Sequence, residues 1–197
     1  MSLKALAKAY FDKSIGLAGI SKEPYSSHVP VLIHLAQSFE VRRIAEFGMG
    51  HFSTSVFLDR TLFPLVEQLT SFDEDPKWFA VIAQKHASDP RFQASLVPSP
   101  MWKTALKFRA SDYDLIFVDD SKSGRDRAKT LLALRMARGI AKGPVVVVHD
   151  VELPVLRAAT WIYPNRTYFG NLCPQTAALC WKSYPLRRTD GRQGARI

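Results

Sequence analysis

Short apolar runs in this chain repeatedly end on side chains that can move protons or hold cations. Residues 44–47 carry Glu46 into Gly48-Met49-Gly50-His51-Phe52-Ser53-Thr54, and residues 69–72 end at Asp73-Glu74-Asp75-Pro76. Residues 113–118 end at Asp119-Asp120, and the β-branched run 145–148 ends at His149-Asp150. A merely solvated surface rarely collects such groups at one end of successive apolar runs. Imidazole titrates near neutral pH, so His149 is the best candidate general base, with Asp150 beside it able to fix its tautomer. The bland alternative is a histidine that only hydrogen-bonds a loop. Asp119 and Asp120 could hold substrate hydroxyls, with Lys122 balancing their charge.

The turn after residue 47 narrows the ligand. Gly48 and Gly50 let backbone come close to a neighbour, because no Cβ stands in the way. Ser53 and Thr54 can open a helix whose first amides face the same place. Glu46 is an odd neighbour for a phosphate, which it would repel. It suits a cationic ligand, and S-adenosylmethionine carries both an ammonium and a sulfonium. Asp73 ends the next run, where a carboxylate can accept ribose hydroxyls, with Glu74 following it. The plain alternatives are an ordinary tight turn with a solvated Glu46, and three acids at 73–75 that only cap a helix. His51 reads as a cofactor-side contact or as exposed.

Strands alternating with helices must position these groups. Helices are expected over 3–19, from 26 to 39, over 53–60, from Asp75-Pro76, after Pro100, over 124–141 and over 152–161. The 124–141 helix is expected to bury a stripe of Ala128, Leu132, Met136 and Ile140. Strands are expected at 44–47, 69–72, 92–97, 113–118, 145–148, 167–169 and 177–182. This order predicts an α/β, Rossmann-like, doubly wound and mostly parallel seven-stranded sheet, with helices on both faces and an antiparallel C-terminal pair. Ligands bind such sheets at the carboxyl ends of the strands. Residues 1–40 are expected to form N-terminal helices capping or lidding the same domain, 41–185 the ligand-binding domain, and 186–197 a basic tail. His28 and His34 fall in the capping region and read as structural.

Composition excludes several classes. At 47% hydrophobic and 23% charged, the 197-residue chain is globular. No apolar run approaches the ~18 residues of a membrane helix. Cys173 and Cys180 match no disulfide framework or metal motif, so a cytoplasmic, reduced protein is expected. The net charge of +9 is spread over a helix and the tail with no RNA-binding signature, so a nucleic-acid partner is disfavoured. A homodimer is compatible with the chain.

The segment Glu46-Phe47-Gly48-Met49-Gly50 resembles motif I of the class I S-adenosylmethionine-dependent methyltransferases, acid-x-Gly-x-Gly, and Asp73-Glu74-Asp75-Pro76 resembles their motif II. The resemblance spans roughly residues 28–183. Tyr113-Asp114-Leu115-Ile116-Phe117-Val118-Asp119 is similar to a strand of small-molecule O-methyltransferases of the catechol and caffeoyl-CoA type. It implies S-adenosylmethionine as cofactor, held by Glu46, Gly48, Gly50, Ser53, Asp73, Glu74 and Asp119, with methyl transfer to a hydroxyl or carboxylate of a small molecule or glycan. His149, Asp150 and Asp119 would carry the chemistry. In the catechol type two aspartates and an asparagine bind a divalent metal. Asp119 and Asp150 match, but Val151 stands at the asparagine position, and hard cations want oxygen ligands, so no metal ligands are assigned. The third strand lacks the acid or amide that often holds adenine; Ser99 would serve, and Trp78 or Trp102 reads as core or as an apolar wall. The segment 163–180 is expected to shape the acceptor pocket. A non-catalytic scaffold of the same fold and an RNA methyltransferase are the alternatives. A nicotinamide oxidoreductase fits worse, since it wants an apolar residue at position 46 and a third glycine near position 53.

Overall fold

A computed structural model describes residues 26–120, 123–137, 143–170 and 173–182. The expected helix over 3–19 and the basic tail lie outside the described residues. The elements run α1 (Val29–Ser38), β1 (Arg43–Phe47), α2 (Ser53–Leu58), β2 (Gln68–Asp73), α3 (Pro76–His86), β3 (Phe92–Leu96), α4 (Trp102–Leu106), β4 (Leu115–Val118), α5 (Gly124–Met136), β5 (Val145–His149), α6 (Pro154–Ala159), β6 (Asn165–Phe169) and β7 (Thr176–Cys180). One seven-stranded sheet has the order β3-β2-β1-β4-β5-β7-β6. β1 to β5 pair in parallel, and β7 runs antiparallel to both β5 and β6. The order reverses between β1 and β4, so a crevice opens beyond their carboxyl ends.

Alternation along the strands builds two cores. Ile44, Leu115, Phe117, Val145 and Val147 face α1 and α2, where Val31, Leu32, Val56 and Phe57 meet them. Ala45, Phe47, Ile116, Val118, Val146 and Val148 face the other way, onto Met101, Ala105, Ala128, Leu131, Leu134 and Leu156. Both sets are buried, which is why 145–148 reads as an unbroken β-branched run. Each large side chain so buried is worth roughly 1.5–3 kcal/mol. Asp75 caps α3, accepting from the amides of Lys77 and Trp78, and Pro76 fills the first helical position.

The expected stripe on α5 is corrected. Leu132 is 42% and Met136 77% exposed, and Ile140 lies outside the described residues. The helix buries Arg127, Ala128, Thr130, Leu131 and Leu134 instead. Two polar residues displace the apolar stripe because strand-end carboxylates wait beneath them. The fourth strand begins later than expected: Asp114 lies before it, its Oδ2 accepting from the amides of Arg42 and Arg43 at 2.8 and 2.9 Å.

Candidate active site at the switch point

The glycine turn closes against the end of β4. Gly48 has φ +89°, and a Cβ there would strike the Asp119 carbonyl and come within 2.7 Å of the Asp120 nitrogen. The close approach that demands this glycine is therefore to the chain's own β4 peptide. The amides of the turn are also engaged internally. Gly48 N–H donates to Phe72 O at 2.9 Å, Met49 N–H to Asp73 Oδ2 at 2.9 Å, and Gly50 N–H to Thr54 Oγ1 at 3.1 Å.

Glu46, expected at the cofactor, lies behind this turn. It has no exposed surface, and its carboxyl receives Ser53 Oγ at 2.5 Å, Thr54 Oγ1 at 2.8 Å and Ser71 Oγ at 2.5 Å. Burial pushes its pKa up to about 7 against the pull of those hydroxyls. A side chain so enclosed fixes the start of α2 to β1 and β2; Ser53 is spent in the same way. Asp73 does reach the turn: Oδ2 takes Met49 N–H and Oδ1 takes Asp75 N–H at 2.9 Å. Burial raises its pKa despite these amides. Glu74 holds the start of α4 through Met101 N–H at 2.7 Å. Ser99 is exposed in the loop after β3. Trp78, read as core or wall, is 38% exposed and leans over the turn, donating from Nε1 to Met49 O at 2.5 Å beside His51. Trp102 packs partly buried on the second core.

On the β4–β5 side the expected triad comes together. His149 Nδ1 lies 3.4 Å from Asp119 Oδ2 and 3.5 Å from Asp150 Oδ1. The two aspartates are about a quarter exposed while His149 is buried. Asp150 turns out of β5 at φ +60°, a conformation rare outside glycine and concentrated at functional sites. Burial would raise the Asp119 carboxyl, but His149 and Arg127 outweigh it and hold it below the ordinary range. Asp120 points inward to Thr130 Oγ1 at 2.5 Å, and burial lifts it to about 7, so it is no substrate contact.

Three participants escape sequence reading. Arg127, buried on α5, joins Asp119 Oδ1 at 2.9 Å and Asp150 Oδ2 at 2.5 Å, and also donates to the carbonyls of Asp120 and His149. It provides the balancing charge expected of Lys122, which lies outside the described residues. Ser27 Oγ sits 2.9 Å from His149 Nε2 and donates to Pro174 O at 2.7 Å. His28, read as structural, stacks edge-on against the His149 ring with centroids 4.8 Å apart. Burial, reinforced by His149, drives its pKa down to about 3, so its ring is neutral. His34 stacks on Phe169, away from the site. No local pattern marks these three, since each reaches the site through tertiary packing.

The catechol-type metal set does not fit. Val151 is fully buried in the second core, and Arg127 already spans Asp119 and Asp150. In the 163–180 segment Tyr163, Phe169 and the residues of β7 are buried, and the other described residues are partly or fully exposed. Its 173–175 stretch abuts the site, through Pro174 and through Gln175, which bonds Val151 and Glu152.

No protein-family model matches the chain, and no curated protein does. Solved structures do. Cofactor-bound Rv0187 from MTB is 24% identical, with a TM-score of 0.57 over 91% of this chain and 90% of that one. The Podospora anserina methyltransferase PaMTH1, bound to S-adenosylhomocysteine, is 18% identical, with a TM-score of 0.55 over 78% and 77%. The N-methyltransferase NodS from Bradyrhizobium japonicum, with the same ligand, is 15% identical, with a TM-score of 0.54 over 81% and 88%. With its strand order, its antiparallel C-terminal pair and these likenesses, the chain has the Rossmann-like fold of the class I S-adenosylmethionine-dependent methyltransferases.

Proposed function

We propose that this protein is an S-adenosylmethionine-dependent methyltransferase acting on a hydroxyl or carboxylate of a small molecule or glycan. One observation carries the choice of cofactor: the amides of Gly48, Met49 and Gly50 are all bonded within the chain. A dinucleotide's pyrophosphate needs such amides as donors. A cationic nucleoside with ribose hydroxyls does not, and the Asp73 carboxylate, holding the backbone amides of Met49, Glu74 and Asp75, keeps acceptor capacity for a hydroxyl. Asp73 would hold the ribose, and the turn, fixed from behind by Glu46 and Ser53, would seat the rest beside Trp78. When bound, the cofactor supplies an electrophilic methyl on a sulfonium that is already a good leaving group.

The chain's own residues then orient the acceptor and take its proton. Asp119 and Asp150 open toward the crevice, and both are positioned by Arg127. The one hydroxyl proton of Ser27 goes to the Pro174 carbonyl, which can only accept. Its oxygen therefore accepts from His149 Nε2–H, and the other ring nitrogen, Nδ1, faces both aspartates. There Nδ1 is in place to exchange a proton with an acceptor hydroxyl through Asp119.

The test is a calorimetric titration with S-adenosylhomocysteine beside NAD⁺, on wild type and Asp73→Ala. Micromolar binding of the first ligand alone, lost in the variant, is expected, followed by turnover in an acceptor screen. Binding without turnover of any hydroxyl or carboxylate acceptor would favour a non-catalytic scaffold, a reading to which exposed Ser99 lends support. Binding of neither ligand overturns the cofactor assignment.

A further inference from the structure

We propose that His28, Asp119 and His149 form a binding site for a divalent first-row transition-metal ion of the Zn²⁺ type. One ring nitrogen from each histidine and one Asp119 oxygen lie within 4.8 Å of one another. The hydrogen-bond pattern leaves each of these three donors available. Neither ring nitrogen of His28 has a hydrogen-bond partner among the described residues, though the ring is 3% exposed. A buried imidazole so placed carries an uncompensated desolvation cost. Ser27 engages His149 Nε2, so Nδ1 is the ring nitrogen placed to coordinate, and it faces two carboxylates whose charge attracts a cation. Arg127 occupies Asp119 Oδ1 and leaves Oδ2 facing that nitrogen.

The spacing agrees with coordination. Ligands about 2.0–2.1 Å from a tetrahedral ion stand about 3.3 Å apart. The Asp119 Oδ2 to His149 Nδ1 distance is 3.4 Å. The widest separation requires the His28 ring to draw in by about an ångström or more to reach that edge length. Two imidazoles with one carboxylate select Zn²⁺, Co²⁺ or Fe²⁺ over Mg²⁺ or Ca²⁺, which demand oxygen. With an ion bound, His149 Nδ1 serves as a ligand in place of a base; the open coordination would take water or an acceptor oxygen, whose proton the ion would make easier to lose to the neighbouring Asp150 carboxylate. It differs from the catechol-type set in using His28, carried by the segment before α1, and in omitting Asp150 and position 151.

The inference does not rest on the cofactor reading, because S-adenosylhomocysteine binding reports on one and metal binding on the other. Full-length protein stripped with EDTA is titrated with Zn²⁺, and with Co²⁺ as a coloured substitute. Wild type is expected to bind one ion with micromolar affinity or better, with Co²⁺ giving the intense visible absorption of a tetrahedral site and Mg²⁺ failing to compete. His28→Ala should weaken binding by about tenfold or more while S-adenosylhomocysteine affinity stays unchanged. Paramagnetic displacement of the His28 and His149 ring protons in Co²⁺-loaded wild type identifies the ligands without any substitution. Failure of wild type to bind either ion overturns the proposal. So does undiminished binding in a folded His28→Ala protein, or ring protons of His28 that do not move.

Discussion

The two sides of the switch point treat their carboxylates in opposite ways. On the β1–β2 side, Glu46 and Asp73 are satisfied by neutral donors, hydroxyls for the first and backbone amides for the second. On the β4–β5 side, Asp119 and Asp150 are partly open and held by charge, through Arg127, beside the His149 ring. Neutral donors in a dry setting fix shape without leaving a reactive group. Charged partners at the rim leave acids ionised, oriented and able to exchange partners. The first side is built to hold a turn, and the second to handle protons or cations.

The sharpest way to break the comparison is to remove the charge on one side only. Arg127→Ala leaves two aspartates facing each other without their guanidinium, and should cost about 3 kcal/mol in urea denaturation, the range for one lost partner of a buried pair. Asp119→Asn in the same background should recover part of that loss; no recovery would mean that Arg127 acts by packing alone.

On the neutral side the expected signature is pH dependence. The pKa of Glu46 is raised to about 7 in the folded protein, so folding binds a proton that the unfolded chain releases near its ordinary value of 4.5. The stability this supplies is complete below the unfolded value and is lost as pH rises through about 7. Asp120 behaves alike, rising from 3.8 to about 7. Denaturation midpoints should therefore fall between pH 5 and 8 by the equivalent of about 2–3 kcal/mol from Glu46, each pKa unit being ~1.4 kcal/mol. Glu46→Gln should flatten that part of the curve, and an unchanged slope would contradict the assignment.

Gly48→Ala tests whether the two sides share a wall. Its Cβ would press on the Asp119–Asp120 peptide from a left-handed backbone, so a loss of about 2 kcal/mol is expected, together with altered titration of the β4 acids by NMR. The smallest effect belongs to Ser27→Ala. Losing one hydrogen bond of about 1 kcal/mol should leave the fold intact but free the His149 tautomer. The readout is the pH–rate profile of methyl transfer: a displaced limb with little change in KM sharpens the reading, and an unmoved profile removes Ser27 from it.

Much of this was legible in the chain. Apolar runs at strand spacing, glycines between a strand and a helix, and Asp75-Pro76 as a cap are local patterns, and local patterns survive folding. The clustering of Asp119, His149 and Asp150 also followed, because a parallel sheet brings its strand ends to one edge. The stripe on α5 did not, since hydrophobicity gives no hint that Arg127 and Thr130 lie inward. Nor did the placement of Glu46 behind its turn: the motif has the same letters whether its acid meets a ligand or three hydroxyls.

The sequence alone determined the order of the elements and which residues end them, since both depend on neighbours within a few positions. The tertiary structure decided which of those acids face the crevice and which are sealed. It brought Ser27 and His28 from before the first strand onto a histidine 122 and 121 residues away, and it set Arg127 between two strand ends. Those contacts join segments distant in the chain, and a side chain's protonation and partners depend on what packing places around it.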